Sequence, residues 1–100
     1  MKNSMENMED IKNDIMDLFR GLMQGGIDYS FSNLHCAMKT DIGEILDGIA
    51  GDVVMDIDMG REVTEEQLKK LADDLLSFAE EFEVAEAKTL AEKISRTIQG

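Results

Sequence analysis

A long periodic stretch of apolar residues between Ser30 and Asp58 is the feature of this sequence that most limits its fold. Its spacing, three or four residues from one large apolar side chain to the next, places those side chains on one face of an α-helix. They are Phe31, Leu34, Met38, Ile42, Ile45, Leu46, Ile49, Val53, Val54 and Ile57. Such a helix measures about 42 Å at 1.5 Å per residue. Its apolar face must be covered by other helices of the chain or by a second copy of it.

Three glycines, Gly43, Gly48 and Gly51, lie within this stretch. Each one costs up to about 1 kcal/mol in a helix interior relative to alanine. Two interpretations are open. Either the helix is continuous and its small residues let another helix approach closely, or it ends near Gly51 and a short strand follows over residues 53–57. The apolar spacing keeps its register across the glycines, which favours the continuous helix.

A first helix is predicted over residues 5–23, upstream of the long stretch. Its apolar residues recur at helical spacing and include Met5, Met8 and Met23, which we expect to face inward. The pair Gly25-Gly26 follows it and provides a stop, because glycine adopts the left-handed backbone conformation that commonly ends a helix.

The segment Thr64-Glu65-Glu66-Gln67 has the form of a capping box and marks the start of a third helix, which runs to about Phe82. The apolar spacing then changes phase near Glu83, which indicates a turn and a fourth helix ending at Gln99; a single helix over residues 65–99 is the alternative. The inward residues of the third helix are Leu68, Leu71, Leu75, Phe78 and Phe82, with Ala72, Leu76 and Ala79 beside them.

These segments predict an all-α fold, a small antiparallel bundle of about four helices with a long second helix. A chain of 100 residues forms one domain, here residues 1–100, and buries about two-thirds of the surface that its unfolded form exposes. It contains one cysteine, Cys36, so an intramolecular disulfide cannot form, and no segment approaches 18 consecutive apolar residues. We therefore expect a soluble, cytoplasmic protein that is not exported.

The charge of the chain limits its partners. It has 22 acidic and 10 basic side chains and a net charge of -12, and residues 29–59 contain six acids and a single base. Nucleic acid and anionic membranes carry the same sign of charge, so neither is expected to bind directly. A protein partner with a basic surface, a divalent metal, or solubility alone would each account for this balance.

His35 and Cys36 are adjacent, and their side chains would point about 100° apart on a helix, too far for a nucleophile and base pair. A zinc site needs two more Cys or His ligands, which the chain lacks. We expect no catalytic residues and no cofactor.

Acidic residues on the second and third helices suggest a metal site as an alternative. The segment Asp-Ile-Gly-Glu-Ile-Leu-Asp-Gly-Ile over residues 41–49, with Leu-Ala-Asp-Asp-Leu-Leu over residues 71–76, resembles the acidic helices of the all-α, MazG-like nucleotide pyrophosphohydrolases. That family holds magnesium between a helix with paired glutamates and a helix with Glu-x-x-Asp. The resemblance implies a divalent-metal enzyme with Asp41, Glu44 and Asp73 as ligands. Lys70 stands where the family has the second helix's glutamate.

The same carboxylates can instead form an interaction surface, comprising Asp41, Glu44, Asp47, Asp52, Asp56, Asp73 and Asp74. Rows of acids on a rigid helix can also imitate the phosphates of DNA and occupy a basic groove, which makes an acidic inhibitor of a nucleic-acid-binding protein a second alternative.

The main functional prediction is a non-enzymatic interaction module, an adaptor or inhibitor of another protein. We expect it to form a homodimer through the second helix. The residues predicted for the dimer face are Leu34, Met38, Ile42, Ile45, Ile49 and Val53.

Overall fold

The computed structural model describes residues 5–27 and 39–99 of the chain. These residues form four α-helices and no strand: α1 is Met5–Gln24, α2 is Lys39–Asp58, α3 is Glu65–Phe82 and α4 is Ala85–Gln99. Helix α1 packs against α2 and α4, and α3 packs against the same two helices. Each helix therefore has two neighbours in a four-helix bundle, and the predicted all-α class is confirmed.

Neighbouring helices run antiparallel. Lys12 near the start of α1 donates to Asp58 at the end of α2, with 3.5 Å between Nζ and Oδ1. Asp56 near the end of α2 accepts a hydrogen bond of 2.9 Å from the side chain of Gln67 near the start of α3. Only two residues separate α3 from α4, so these helices form a hairpin.

The core contains only apolar side chains within the described part of the chain. They come from all four helices and follow the three-and-four spacing of the sequence, because this spacing keeps one face of each helix on the bundle axis. Among the most completely buried are Ile11, Leu22, Ile42, Leu46, Leu68, Leu71, Leu75, Val84 and Ile94. Leu76 differs from its prediction: 38% of it is exposed, because it lies at the edge of the buried face of α3.

Helix α2 is continuous from Lys39 to Asp58 and passes through all three glycines. The continuous helix is therefore confirmed for these 20 residues, and the alternative with a strand over residues 53–57 is wrong. The predicted start of this helix near Ser30 falls on residues 28–38, outside the described residues. Helix α2 ends at Asp58, and Gly60 follows two residues later with a φ of 76°. There the N–H of Arg61 donates to the carbonyl of Asp56 over 2.8 Å, the bond of a Schellman motif.

The ends of α3 match their predictions. The N–H of Gln67 donates to Oγ1 of Thr64 over 3.1 Å, and the N–H of Thr64 donates to Oε1 of Gln67 over 2.9 Å, so the capping box is formed. Helices α3 and α4 are separate, as predicted, and Glu83 lies between them with φ 56°. The N–H of Val84 donates to the carbonyl of Ala79 over 3.0 Å and closes the turn.

The predictions for the first helix agree in part with the structure of α1. Helix α1 ends before Gly25, whose φ is 87°, as its sequence predicts. Met8 is buried and Met23 is partly buried, whereas the side chain of Met5 lies outside the described residues. No helix in the described residues is long and apolar enough to cross a membrane.

Candidate interaction site

An apolar groove with a volume of about 330 Å³ lies between α1 and α2 on the surface of the bundle. Its floor is formed by buried core residues, and its walls by side chains that are partly or largely exposed. We call it the methionine groove, defined by Ile15, Met16, Phe19, Leu46, Asp47, Ala50, Gly51, Val54, Met55 and Asp58.

The groove exists because α2 presents short side chains to α1 along part of its length. Ala50 and Gly51 lie between the larger Leu46 and Val54, so a depression forms at their level. Ile15 on α1 and Leu46 on α2 are 3% and 1% exposed and close its base. The floor is therefore part of the core that holds α1 and α2 together, and its position is fixed by the fold.

Two methionines stand at the edges of this groove. Met16 on α1 is 41% exposed and Met55 on α2 is 57% exposed. Large apolar residues that are exposed elsewhere in the described part of the chain are Met59 and Leu76, neither of which lines the groove. Methionine is flexible and polarizable, which suits it to binding surfaces of varied shape.

The two charged side chains that line the methionine groove are acidic. Asp47 and Asp58 line it, and the outer side of α2 also exposes Glu44 and Asp52. Asp58 pairs with Lys12, with 3.5 Å between Nζ and Oδ1. No ion-pair partner lies within reach of Glu44, Asp47 or Asp52 among the side chains that the structure describes. Of the acids that line the groove, Asp47 therefore carries negative charge that no described basic side chain neutralises, whereas Asp58 shares Lys12.

The glycines of α2 differ in their surroundings. A Cβ at Gly43 would lie 2.6 Å from Sδ of Met23, so the packing of α1 against α2 explains this glycine. A Cβ at Gly51 would meet only the side chain of Asp47 one turn earlier, at 3.1 Å. A Cβ at Gly48 would meet nothing within 4 Å. The described packing of the chain therefore gives no steric reason for Gly48.

The acidic residues predicted as one interaction surface lie on several sides of the bundle. Glu44, Asp47 and Asp52 are exposed on α2. Asp56 is partly buried and pairs with Arg61, with 3.2 Å between Oδ1 and Nε. The two aspartates of α3 lie apart from this side: Asp73 lines a crevice toward α4, and Asp74 lines a crevice toward α2. The side chain of Asp41 is outside the described residues.

The residues predicted for a dimer face are also divided. Ile42 is 0% exposed and Val53 is 5% exposed, and both belong to the core of the single chain. Ile45 and Ile49 are partly buried and line a crevice of about 210 Å³ between α2 and α3. Leu34 and Met38 fall outside the described residues, as do His35 and Cys36.

The alternative metal site gains no support from the described residues. No three His, Cys, Asp or Glu side chains among them are grouped so that they would hold a metal ion. The crevice at Asp73 is lined by residues of α3 and α4, and Glu44 on α2 is not among them. Lys70 pairs with Asp74, with 3.7 Å between Nζ and Oδ2, and its side chain is 77% exposed.

The sequence did not identify the groove residues Met16 and Met55 as functional candidates. Both fall outside the apolar faces of their helices. This position in the sequence pattern predicts that their side chains stay exposed. A large apolar residue on the polar side of an amphipathic helix is left exposed when the helix packs.

Comparison of the chain with protein-family models, with curated proteins and with solved structures finds no match.

Proposed function

We propose that this protein is a non-enzymatic, intracellular interaction module, an adaptor or inhibitor that binds a protein with a basic surface at the methionine groove. The observation that carries the proposal is the exposure of Met16 and Met55 on the two sides of a groove with a buried apolar floor. Exposed apolar surface in a concave site is typical of a place where a partner binds.

Apolar contact would supply the main attraction. Removing apolar surface from water contributes about 25 cal/mol per Å². Met16 and Met55 are exposed in the free protein, whereas Ile15 and Leu46 beneath them are already buried. A partner side chain that enters the groove would cover both methionines at once and would rest on a floor that does not need to rearrange.

The charge around the groove selects the partner. Asp47 and Asp58 line it, and the protein as a whole has a net charge of -12. A basic partner is attracted over long distances by this field, and an acidic partner is repelled. A second copy of the chain is a poor occupant for the same reason. The same repulsion opposes the homodimer predicted from the sequence, of whose predicted face Ile45 and Ile49 line the crevice between α2 and α3.

A second candidate function is imitation of DNA by the exposed acids of α2. Glu44, Asp47 and Asp52 lie along this helix without a described basic partner, which supports it. The two candidates differ in what holds the partner. Binding by charge alone is lost at high salt, whereas apolar contact in the groove persists.

The proposal is tested by affinity capture from the source cells with the immobilised protein. A double variant, Met16→Gln with Met55→Gln, makes the edges of the groove polar and leaves the net charge unchanged. Leu76→Gln is the matched control, because Leu76 is also exposed but lines the crevice between α3 and α4. A specific partner should be retained by the native protein and by the control, and lost by the double variant.

The retained protein is then purified and its affinity for each form is measured. We expect a loss of at least about tenfold for the double variant and a change within about twofold for Leu76→Gln. Equal affinity for all three forms would contradict the proposal. Equal affinity that disappears at 0.5 M NaCl would favour the imitation of DNA.

A further inference from the structure

We infer that the methionine groove takes a basic amphipathic helix of about three turns, contributed by the partner protein. This inference rests on the proposed function and specifies the element that binds. Three features of the groove support it: the spacing of its lining residues along α2, its length, and the position of its carboxylates.

The spacing of the lining residues fits a helix. On α2 they form two neighbouring rows with steps of four residues, Leu46-Ala50-Val54 and Asp47-Gly51-Met55, and on α1 Ile15 and Phe19 are also four apart. Side chains four residues apart form the ridges of a helix, and the ridges of one helix pack into the grooves of another. The row through Gly51 has a gap at its centre, where a ridge of the partner would enter.

The length of the groove sets the length of the occupant. Its lining residues on α2 extend from Leu46 to Asp58. These twelve steps correspond to about 18 Å at 1.5 Å per residue, or just over three helical turns. A segment of that length carries apolar residues at positions i, i+3 or i+4, and i+7, which form one apolar face that would cover Met16 and Met55.

The carboxylates lie where they would meet cations that flank this apolar face. Asp47 and Asp58 line the groove eleven residues apart on α2. Asp47 has no described ion-pair partner, and the side chain of Asp58 stays 71% exposed beside Lys12. Lys or Arg on the partner helix, about three turns apart, would reach both carboxylates. No basic side chain is among the lining residues, and Lys12 pairs with Asp58 at one end of the groove, so a partner cation would share Asp58 with Lys12.

The experiment uses three fluorescent peptides of 16 residues and measures their affinity by anisotropy. The first has leucines at helical spacing with lysine and arginine on its other face. The second keeps the leucines and replaces every basic residue by glutamine. The third has the composition of the first in an order without an apolar face. We expect the first to bind at least about tenfold more tightly than either of the others at 0.05 M salt.

Variants of the protein locate the binding site. The Met16→Gln, Met55→Gln double variant should weaken binding of the first peptide at least about tenfold, and Leu76→Gln should change it less than about twofold. Asp47→Asn and Asp73→Asn remove the same charge from the groove and from the crevice between α3 and α4. The first of this pair should weaken binding more than the second.

Each other result overturns the inference in a way that separates it from the proposed function. Equal binding of the glutamine peptide would show that the occupant need not be basic. Equal binding of the peptide without an apolar face, or full binding to the double variant, would show attraction by charge alone. Failure of all three peptides, with capture that still depends on Met16 and Met55, would exclude the helical occupant and leave the interaction module standing.

Discussion

Neighbouring leucines on α3 have opposite environments, and this contrast tests the buried face of the helix at the scale of single residues. Leu75 is 0% exposed, whereas Leu76 is 38% exposed. We predict that Leu75→Ala lowers the free energy of unfolding by about 2–5 kcal/mol, because it removes buried methyl groups and leaves a cavity. Leu76→Ala should lower it by less than about 1 kcal/mol. The measurement is urea denaturation, and equal changes in the midpoint would contradict the assigned face.

The burial of Leu75 is predictable from the sequence, whereas the exposure of Leu76 is not. The sequence predicts Leu75 in the core because it continues a three-and-four spacing with Leu71 and Phe78. Leu76 belongs to the same apolar run, which predicts it beside Leu75, but it lies at the edge of the buried face. Spacing alone does not define how wide the covered face is, because that width depends on where the neighbouring helices lie.

At the scale of the helices, Gly48 lowers the stability of α2, because glycine is a poor helix former. The described packing gives no steric reason for a glycine at this position. We predict that Gly48→Ala raises the free energy of unfolding by about 0.5–1 kcal/mol, because alanine favours the helix and its Cβ meets nothing within 4 Å. Gly43→Ala is the control. Its Cβ would lie 2.6 Å from Sδ of Met23, so Met23 would have to move and the gain should be smaller or absent.

The free energies of unfolding of the two variants and of the native protein are measured by chemical denaturation. A lower free energy of unfolding for Gly48→Ala would show that the site is covered in the folded chain, contrary to the open surface described above.

The helices themselves were largely predictable from local chemistry. The capping box at Thr64 and the change of phase near Glu83 fix the ends of α3, and the continuous spacing across Gly51 predicted an unbroken α2. The methionine groove was not predictable in this way, since it forms only where α1 and α2 meet. Its two edge residues, Met16 and Met55, lie outside the apolar spacing from which each helix was recognised.

At the scale of the whole molecule, the net charge of -12 has opposite consequences for folding and for binding. Repulsion among the acids opposes the compact state, and salt screens it, since the Debye length falls from about 30 Å at 0.01 M to about 8 Å at 0.15 M. We predict that the thermal midpoint rises over this range while affinity for a basic partner falls. Asp52→Lys should reduce the rise, because Asp52 has no described partner and the net charge becomes less negative. A midpoint that falls with salt would show that ion pairs such as Lys93 with Asp14 dominate.

The arrangement of the four helices also belongs to this scale. The sequence predicted their number and the antiparallel bundle, but not the order in which they surround the core. That order places α1 beside α2 and α4, and it decides which apolar residues become floor, wall or edge of a groove. Periodicity within one helix carries no information about which helix it will face.

Binding of a partner between Met16 and Met55 can be observed at these two side chains by NMR of the methionine methyl groups. The chain contains eight methionines, whose ε-methyl groups can be labelled with ¹³C and assigned by substitution. Met8 is 6% exposed in the core, and Met59 is 65% exposed outside the groove, so both serve as internal controls. When the basic amphipathic peptide is added, we predict saturable shifts of the Met16 and Met55 signals with little change at Met8 and Met59. Saturable shifts at Met59 with Met16 and Met55 unchanged would show that the peptide binds outside the methionine groove.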